Sequence, residues 1–360
     1  MMNKTKFAVI GAGNGGHAFS AHLTLLGFQV SLYDIEAKKV KDLKKTGKIK
    51  VNGAVQGEAN IHLITNHIGE AIRGVDVIMV VIPAVYHAGI VKAMVPYLQN
   101  NQVIVLNPGA TGGALEIRNV LKQEKCSAEI IVAETNTLLY ACRSSKAGEV
   151  NIGGVKGLVY VSALPSSKIN EVVEKLNEAF PQYKPLPTTM FTSLENVNAM
   201  LHPAPMLLNT GRIETNQTFR FYLDGYTPSV VKIVENMDNE RLSVGKAFGI
   251  ELPSLSEWYK FSYGVKGENL SEVIQNMKPY EDIQCSNTLN SRYLFEDIPT
   301  GLVPISELAK AVHVKTPTID SIIELGSTVL GRDFWAEGRS LSKLGLSGMN
   351  VNQICELLLA

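Results

Sequence analysis

A chain of 360 residues, 45% of them hydrophobic, carries enough material for two domains with separate cores. Its 34 basic and 34 acidic side chains cancel, so no overall field draws it to nucleic acid or to an anionic membrane, and small molecules are the expected partners. Cys126, Cys142, Cys285 and Cys355 have neither the density of a disulfide scaffold nor metal-ligand spacing, and the longest apolar run, Val77 to Val85, is broken by Pro83 far short of a membrane span, which together imply a soluble cytoplasmic protein with no structural metal.

The first element is the most informative. Lys4 and Lys6 precede only the short apolar run Phe7 to Ile10, too brief for a signal-peptide core, and the chain then turns through GAGNGGHA into a helical segment. A second apolar stretch, Val30 to Tyr33, ends on Asp34. Strand, glycine turn, helix, strand and acid in this order are the fingerprint of a nicotinamide dinucleotide site on a Rossmann fold. Gly11 permits the turn, Gly13 leaves room for the pyrophosphate, and Gly16 lets the helix lie close to the sheet. Ala12, Asn14 and Gly15 complete the turn, whose free N–H groups and helix dipole favour a dianion. Asp34 is placed to accept the ribose hydroxyls of NAD and to repel the extra phosphate of NADP. Lys38 and Lys39 follow closely enough to hold that phosphate, so NAD is preferred and NADP remains open.

Residues 48–65 read as a short strand pair around Asn52-Gly53 and Gly57. Three further apolar strands follow, at 76–82, 102–106 and 129–133, and each ends in a polar or glycine-rich turn. The first ends at Pro83, a further cofactor contact; the second runs into a glycine-rich turn, Asn107 to Gly113; the third runs into Glu134-Thr135-Asn136-Thr137. These turns belong to one carboxyl edge, where open α/β sheets bind ligands. Strands near Asn151 and at 158–163, with a helix at 166–179, are expected to finish a mostly parallel, doubly wound sheet.

Pro181, Pro185 and Pro187 mark a boundary, giving a dinucleotide-binding domain over 1–187 and a second domain over 188–360. Beyond it the periodicity is helical, over 193–201, 204–215, 229–248 and 306–325, so the second domain is all-α and the reaction centre is expected in the cleft between the two.

His202 precedes Pro203 in LHPAP, where one helix should end and another begin, and it is the sharpest candidate for proton transfer. Asp297 could fix a histidine tautomer, and Arg292 could hold a carboxylate through two parallel hydrogen bonds. Asn198, one turn before His202, and Thr227, before Pro228 at a helix start, are further substrate-binding candidates, with Arg143 behind them. His17 and His22 read as packing or solvent residues. No zinc spacing, nucleophile elbow or P-loop occurs.

In combination, GAGNGGHA, NPGATGGALE, ETNTLLYACR, NVNAMLHPAP, DGYTPSVVKIVENMDNERLSVGKAFG and the Arg292 to Asp297 stretch resemble the NAD/NADP octopine/nopaline dehydrogenases, or opine dehydrogenases, over essentially the whole length. The resemblance implies a catalytic pair, His202 and Asp297, and a substrate-binding arginine, Arg292. It also implies NADH-dependent reductive condensation of an L-amino acid amine with a 2-oxo acid such as pyruvate. Asp224 departs from the glutamate expected in that segment. A homodimer is compatible with this reading. Two other readings share the layout. One is an oxo-acid or hydroxyacid reductase of the ketopantoate reductase or glycerol-3-phosphate dehydrogenase type, although residues 194–201 lack the lysine those families use. The other is a non-catalytic NAD-binding sensor.

Overall fold

The structure, a computed structural model, describes residues 4–359. The chain divides into two compact units, Met1–Ser193 with Glu356–Ala360, and Leu194–Cys355.

The first unit is built on an eight-stranded sheet. In chain order its strands are β1 (Phe7–Ile10), β2 (Val30–Tyr33), β5 (Leu63–Thr65), β6 (Val77–Val80), β7 (Val103–Leu106), β8 (Ile131–Thr135), β11 (Val159–Leu164) and β12 (Tyr183–Pro185). Their spatial order is β12-β11-β8-β7-β6-β1-β2-β5. All neighbours run parallel except β11, which pairs antiparallel with β8. β1, β2, β6 and β7 are buried along their whole lengths, as expected of Val/Ile-rich strands covered on both faces. Order reverses on either side of β1, which sits between β6 and β2. The ends of these strands therefore form the crevice in which doubly wound sheets bind dinucleotides.

The strand near Asn151 does not finish this sheet. It is β10 (Glu149–Val155), the partner of β3 (Lys48–Gly53) and β9 (Tyr140–Arg143) in a separate four-stranded sheet of order β4-β3-β10-β9, with β4 at Gly57–Asn60. Its alternating burial explains the difference: Val150 and Ile152 are buried while Asn151 is exposed, the pattern of a sheet with one wet face. The dry face lies on the Asn14–Leu25 helix, where Phe19 meets Tyr140 edge-on at 4.8 Å. That helix is buried on nearly all sides because it is held between two sheets.

In the second unit the only strand-like pairing among the described residues is a single bridge, Arg220 to Gln284. Its longest helix, Pro228–Ala247, starts at Thr227 with proline in the first turn, and Pro203 and Pro317 open their helices in the same way. Three expected helices prove divided. Residues 193–201 separate into the end of Thr189–Leu194 and the single turn Asn198–Leu201. Residues 204–215 break at Asn209, whose amide donates to the carbonyls of Pro205 and Gly225. Residues 306–325 break between Val303–Ala311 and Pro317–Leu330, where His313 takes a left-handed backbone (φ 57°) and Pro317 can only begin a helix.

Candidate active site

At the β1 end, Gly11 has φ +104°, and a β-carbon there would strike Ile82 and the Val81 carbonyl, so only glycine fits. A β-carbon on Gly16 would lie 1.6 Å from the Gly11 carbonyl oxygen, whereas one on Gly13 would meet nothing within 4 Å. Gly16 is thus a packing requirement, and Gly13 faces open space of the kind a pyrophosphate needs against bare backbone. Asp34 is buried at the end of β2. Its Oδ2 accepts the Ala12 N–H at 2.7 Å and its Oδ1 accepts the Glu36 N–H at 2.9 Å. Lys39 pairs with Asp34 at 3.2 Å, while Lys38 is exposed. These residues fit a dinucleotide: a cradle without side chain, a helix N-terminus, and a buried carboxylate just after the second strand. Pro83 follows β6 and opens a short 3₁₀ turn, Ala84–Tyr86.

The loop between β9 and β10 closes over the same turn. The Ser144 N–H donates to Asn14 Oδ1 at 2.9 Å, and the Gly148 N–H donates to His17 Nε2 at 3.2 Å. Since Nε2 accepts, the ring hydrogen of His17 is on Nδ1, which donates to the Gly13 carbonyl at 2.9 Å. Burial pushes the His17 pKa below its ordinary 6.5, keeping the ring neutral. His17 is therefore a structural link. Between glycine turn, Lys39 and loop lies a cavity of about 230 Å³. Arg143, the last residue of β9, is exposed.

Glu134, at the end of β8, is fully buried. Its oxygens accept from the Ala114 N–H (2.7 Å), Thr192 Oγ1 (2.6 Å) and Ser193 Oγ (2.7 Å). A carboxylate suits a position where these three groups donate. It ties the helix after the second glycine turn to the Thr189–Leu194 helix.

In the second unit, His202 joins Asn198–Leu201 to Pro203–Leu208. The backbone there departs from expectation: a residue before proline is normally pushed out of the α region, yet His202 has φ −104° and ψ −48°. The hydrogen bonds His202 N to Asn198 O (3.0 Å) and Met206 N to His202 O (3.2 Å) carry the helical path through, and the widened φ accommodates the proline ring. His202 and Asp297, 95 positions apart, meet with Nδ1 2.6 Å from Oδ2. Both are nearly buried, 7% and 9% exposed. Asp297 stands directly before a π-helical turn, Ile298–Leu302, which follows the short Arg292–Phe295 helix. Such insertions re-aim side chains and recur at functional sites.

Two aromatic residues that the sequence reading did not single out complete the setting. Tyr293 stacks on the His202 ring (3.8 Å between centroids, 10° between planes). The Tyr222 hydroxyl lies 3.0 Å from Nε2, and burial holds that phenol well above its ordinary pKa of 10.0, so it is a donor. The aromatic density of residues 219–226 is visible in the sequence, but its approach to a histidine twenty positions earlier is not. Arg292 binds Glu296 Oε2 through Nε at 2.5 Å, and its side chain is 66% exposed. Its Nη1 and Nη2 are left without a protein partner among the described residues, a fork suited to a carboxylate. Asn198 is exposed at the start of its single turn. Thr227 is exposed at the N-cap of Pro228–Ala247 without a side-chain capping bond. Asp224 is committed locally: Arg220 grips both its oxygens and pulls its pKa down to about 2. Among the described residues no cluster could hold a metal, and no helix is long and apolar enough to cross a membrane.

Residues 185–330 match the NAD/NADP octopine/nopaline dehydrogenase alpha-helical domain, and residues 6–137 match the NAD-dependent glycerol-3-phosphate dehydrogenase N-terminus. An opine dehydrogenase of an Arthrobacter species is 44% identical over 350 residues, covering 97% of each chain. The ocs protein of Agrobacterium vitis is 30% identical over 98% of this chain and 99% of its own. A solved octopine dehydrogenase with NADH and L-arginine shares the fold (TM-score 0.83, 23% identity, covering 99% of this chain and 98% of the other). The matching helical domain and the full-length identity carry the same conclusion: the chain belongs to the opine dehydrogenase family and is an NAD(P)-dependent oxidoreductase.

Proposed function

We propose that this enzyme joins the amine of an L-amino acid to a 2-oxo acid and reduces the resulting imine, giving an N-(1-carboxyalkyl)-amino acid, reversibly. The observation that carries the reading is the 2.6 Å contact between His202 and Asp297. Condensation needs a base and then an acid, because only a neutral amine attacks a carbonyl and the carbinolamine must afterwards lose water. One imidazole can serve both steps: neutral His202 takes a proton from the ammonium, Asp297 stabilises the imidazolium, and the same proton is returned to the departing hydroxyl.

Both substrates carry carboxylates. The free fork of Arg292 would hold one, with Asn198 and Thr227 as further polar contacts on the same unit. Octopine dehydrogenase structures with NADH and L-arginine, and with NADH and pyruvate, support this substrate pairing. NADH, when bound, supplies the hydride. Gly11, Ala12, Gly13, Asn14, Gly15 and Gly16 would seat its pyrophosphate, Asp34 its ribose, and Pro83 would line the site. NADH is favoured over NADPH because Asp34 would accept the ribose hydroxyls and repel a 2′-phosphate, with Lys39 already engaged by that carboxylate. Four scattered cysteines, all free, suit a cytosolic enzyme, and a homodimer is the assembly we expect.

The test is a matrix of pyruvate, glyoxylate and 2-oxobutyrate against the amino acids, followed by NADH and then NADPH oxidation. Oxidation should require both organic substrates together. In His202→Ala, turnover should fall by about 10² to 10⁴ while NADH still binds. Oxidation by the oxo acid alone would instead mark a simple oxo-acid reductase, and full turnover in the variant would remove His202 from the chemistry.

A further inference from the structure

β8 runs parallel with β7, β6 and β1, so its end at Thr135 lies on the same carboxyl edge as the glycine turn. β11 pairs antiparallel with β8, Val161 opposite Thr135, which brings the residues just before β11 back to that edge. Lys156 is one of them. Its backbone N–H donates to the Leu139 carbonyl at 2.9 Å, and its side-chain Nζ donates to Thr137 Oγ1 at 2.5 Å. Leu138, between those two partners in the chain, packs against Gly15, where a β-carbon would lie 3.4 Å from the leucine side chain. A lysine amine is thus tethered in the loop that touches the start of the dinucleotide helix.

The tether gives one neutral acceptor to a group with three donors. Lys156 is half-buried and forms no ion pair among the described residues, and burial pulls its pKa from 10.5 down to about 8. Lysine seldom leaves water without a counter-charge. The charged side chains of the neighbouring strands do not supply one. Glu134 of β8 is held by Ala114, Thr192 and Ser193, and Glu149 of β10 pairs with Lys146. Arg143 of β9 and Lys184 of β12 are exposed cations. The Tyr140 hydroxyl of β9 lies 3.0 Å from His22 Nδ1, and burial pushes Cys142 and Tyr183 up, so neither brings a negative charge.

Among the reactants of the proposed reaction one anion suits this place. The hydride goes to the former carbonyl carbon of the oxo acid, which carries the oxo acid's own carboxylate, whereas the carboxylate of the amino acid lies two bonds further off, across the imine nitrogen. The unit that binds the nicotinamide therefore meets the oxo-acid carboxylate first. We propose that Lys156 is the anion anchor of the dinucleotide-binding unit, its ammonium, tethered by Thr137 at the carboxyl end of β8, holding the carboxylate of the 2-oxo acid. This rests on the reading that a 2-oxo acid is one of the two substrates. Lys156 moves neither proton nor hydride in this account; it is a positioning residue for the carbon that is reduced.

The experiment measures KM for pyruvate, for the amino acid and for NADH across pH in full-length wild type, Lys156→Met and Lys156→Arg. Calorimetric binding of oxamate, an unreactive analogue of a 2-oxo acid, to the NADH-bound protein runs alongside. Methionine keeps an unbranched chain and removes the charge. In Lys156→Met the KM for pyruvate and the Kd for oxamate should rise by about 10- to 100-fold, the size of a hydrogen bond to a charged group, while KM for the amino acid and for NADH moves by no more than about twofold. In wild type the pyruvate KM should climb above about pH 8, where the amine loses its proton, and in Lys156→Arg, whose charge does not titrate there, that climb should vanish. An unmoved pyruvate KM in folded Lys156→Met overturns the proposal. So does a rise confined to the amino acid, or a fall in kcat with all three KM values unchanged, which marks a residue that only ties two loops together. If Lys156→Met melts early, Lys156→Arg decides, and an alkaline climb that persists in it is equally fatal. Failure of the wild type to oxidise NADH with any amine and oxo-acid pair would sink the proposed reaction instead, while oxamate binding would still decide the role of Lys156.

Discussion

Arg292 shows how one side chain can be split between folding and recognition. Its Nε is bound to Glu296, which aims the guanidinium, while the two Nη groups remain on a largely exposed side chain. Parallel donors in a fixed plane match a carboxylate, and lysine cannot reproduce that geometry even though it keeps the charge. Arg292→Lys should therefore raise the KM for one of the two carboxylate substrates by about tenfold, about 1.4 kcal/mol, with a smaller effect on kcat. Initial rates with each substrate varied in turn identify which one it holds. Equal KM values for both in variant and wild type would release Arg292 from carboxylate recognition.

At the scale of an element, the glycine turn separates two uses of the same residue type. A β-carbon on Gly16 would collide with backbone at 1.6 Å, and one on Gly13 would meet nothing within 4 Å. Gly13→Ala should fold with an unchanged melting temperature yet bind NADH at least tenfold more weakly, because the methyl group enters the space the pyrophosphate needs. Gly16→Ala should fail at the earlier stage, losing thermal stability or soluble expression. Calorimetry and NADH fluorescence titration distinguish these outcomes, and matching behaviour of the two variants would break the distinction. This turn was legible in the sequence because its chemistry is local: strand, glycine offsets and acid lie within 28 residues, Phe7 to Asp34. The His202–Asp297 pair was legible only through resemblance, since nothing in either local pattern brings residues 95 apart together. Tyr222 and Tyr293 escaped because an aromatic run reads as core until its partner is known. β10 was placed in the wrong sheet for a related reason. A short strand announces its own period, and sheet membership depends on which neighbour covers its dry face.

For the whole molecule, the two units differ in their acid liability and share an alkaline one. In the first, burial lowers the pKa of both His17 and His22 from 6.5. A depressed folded pKa means that stability is fully present above the unfolded value and is lost as pH falls below it, because the unfolded chain takes up protons that the folded unit refuses. Burial raises Tyr222, Tyr226, Tyr259 and Tyr280 of the second unit from 10.0, and Tyr140 and Tyr183 of the first, so their contribution is complete below pH 10 and is lost above it in both units. Both tryptophans, Trp258 and Trp335, lie in the second unit, so their fluorescence reports that unit alone. Between pH 7.5 and 5.5, thermal melting followed by calorimetry should show a transition that moves down while the tryptophan-detected transition holds. Replacing His17 with glutamine should flatten part of that movement, since glutamine brings no proton to be refused. Above pH 10 both transitions should move down, because burial also raises Tyr33, Tyr140 and Tyr183 of the first unit. If both transitions drop together on the acid side, buried histidines of the first unit are not what sets its acid limit.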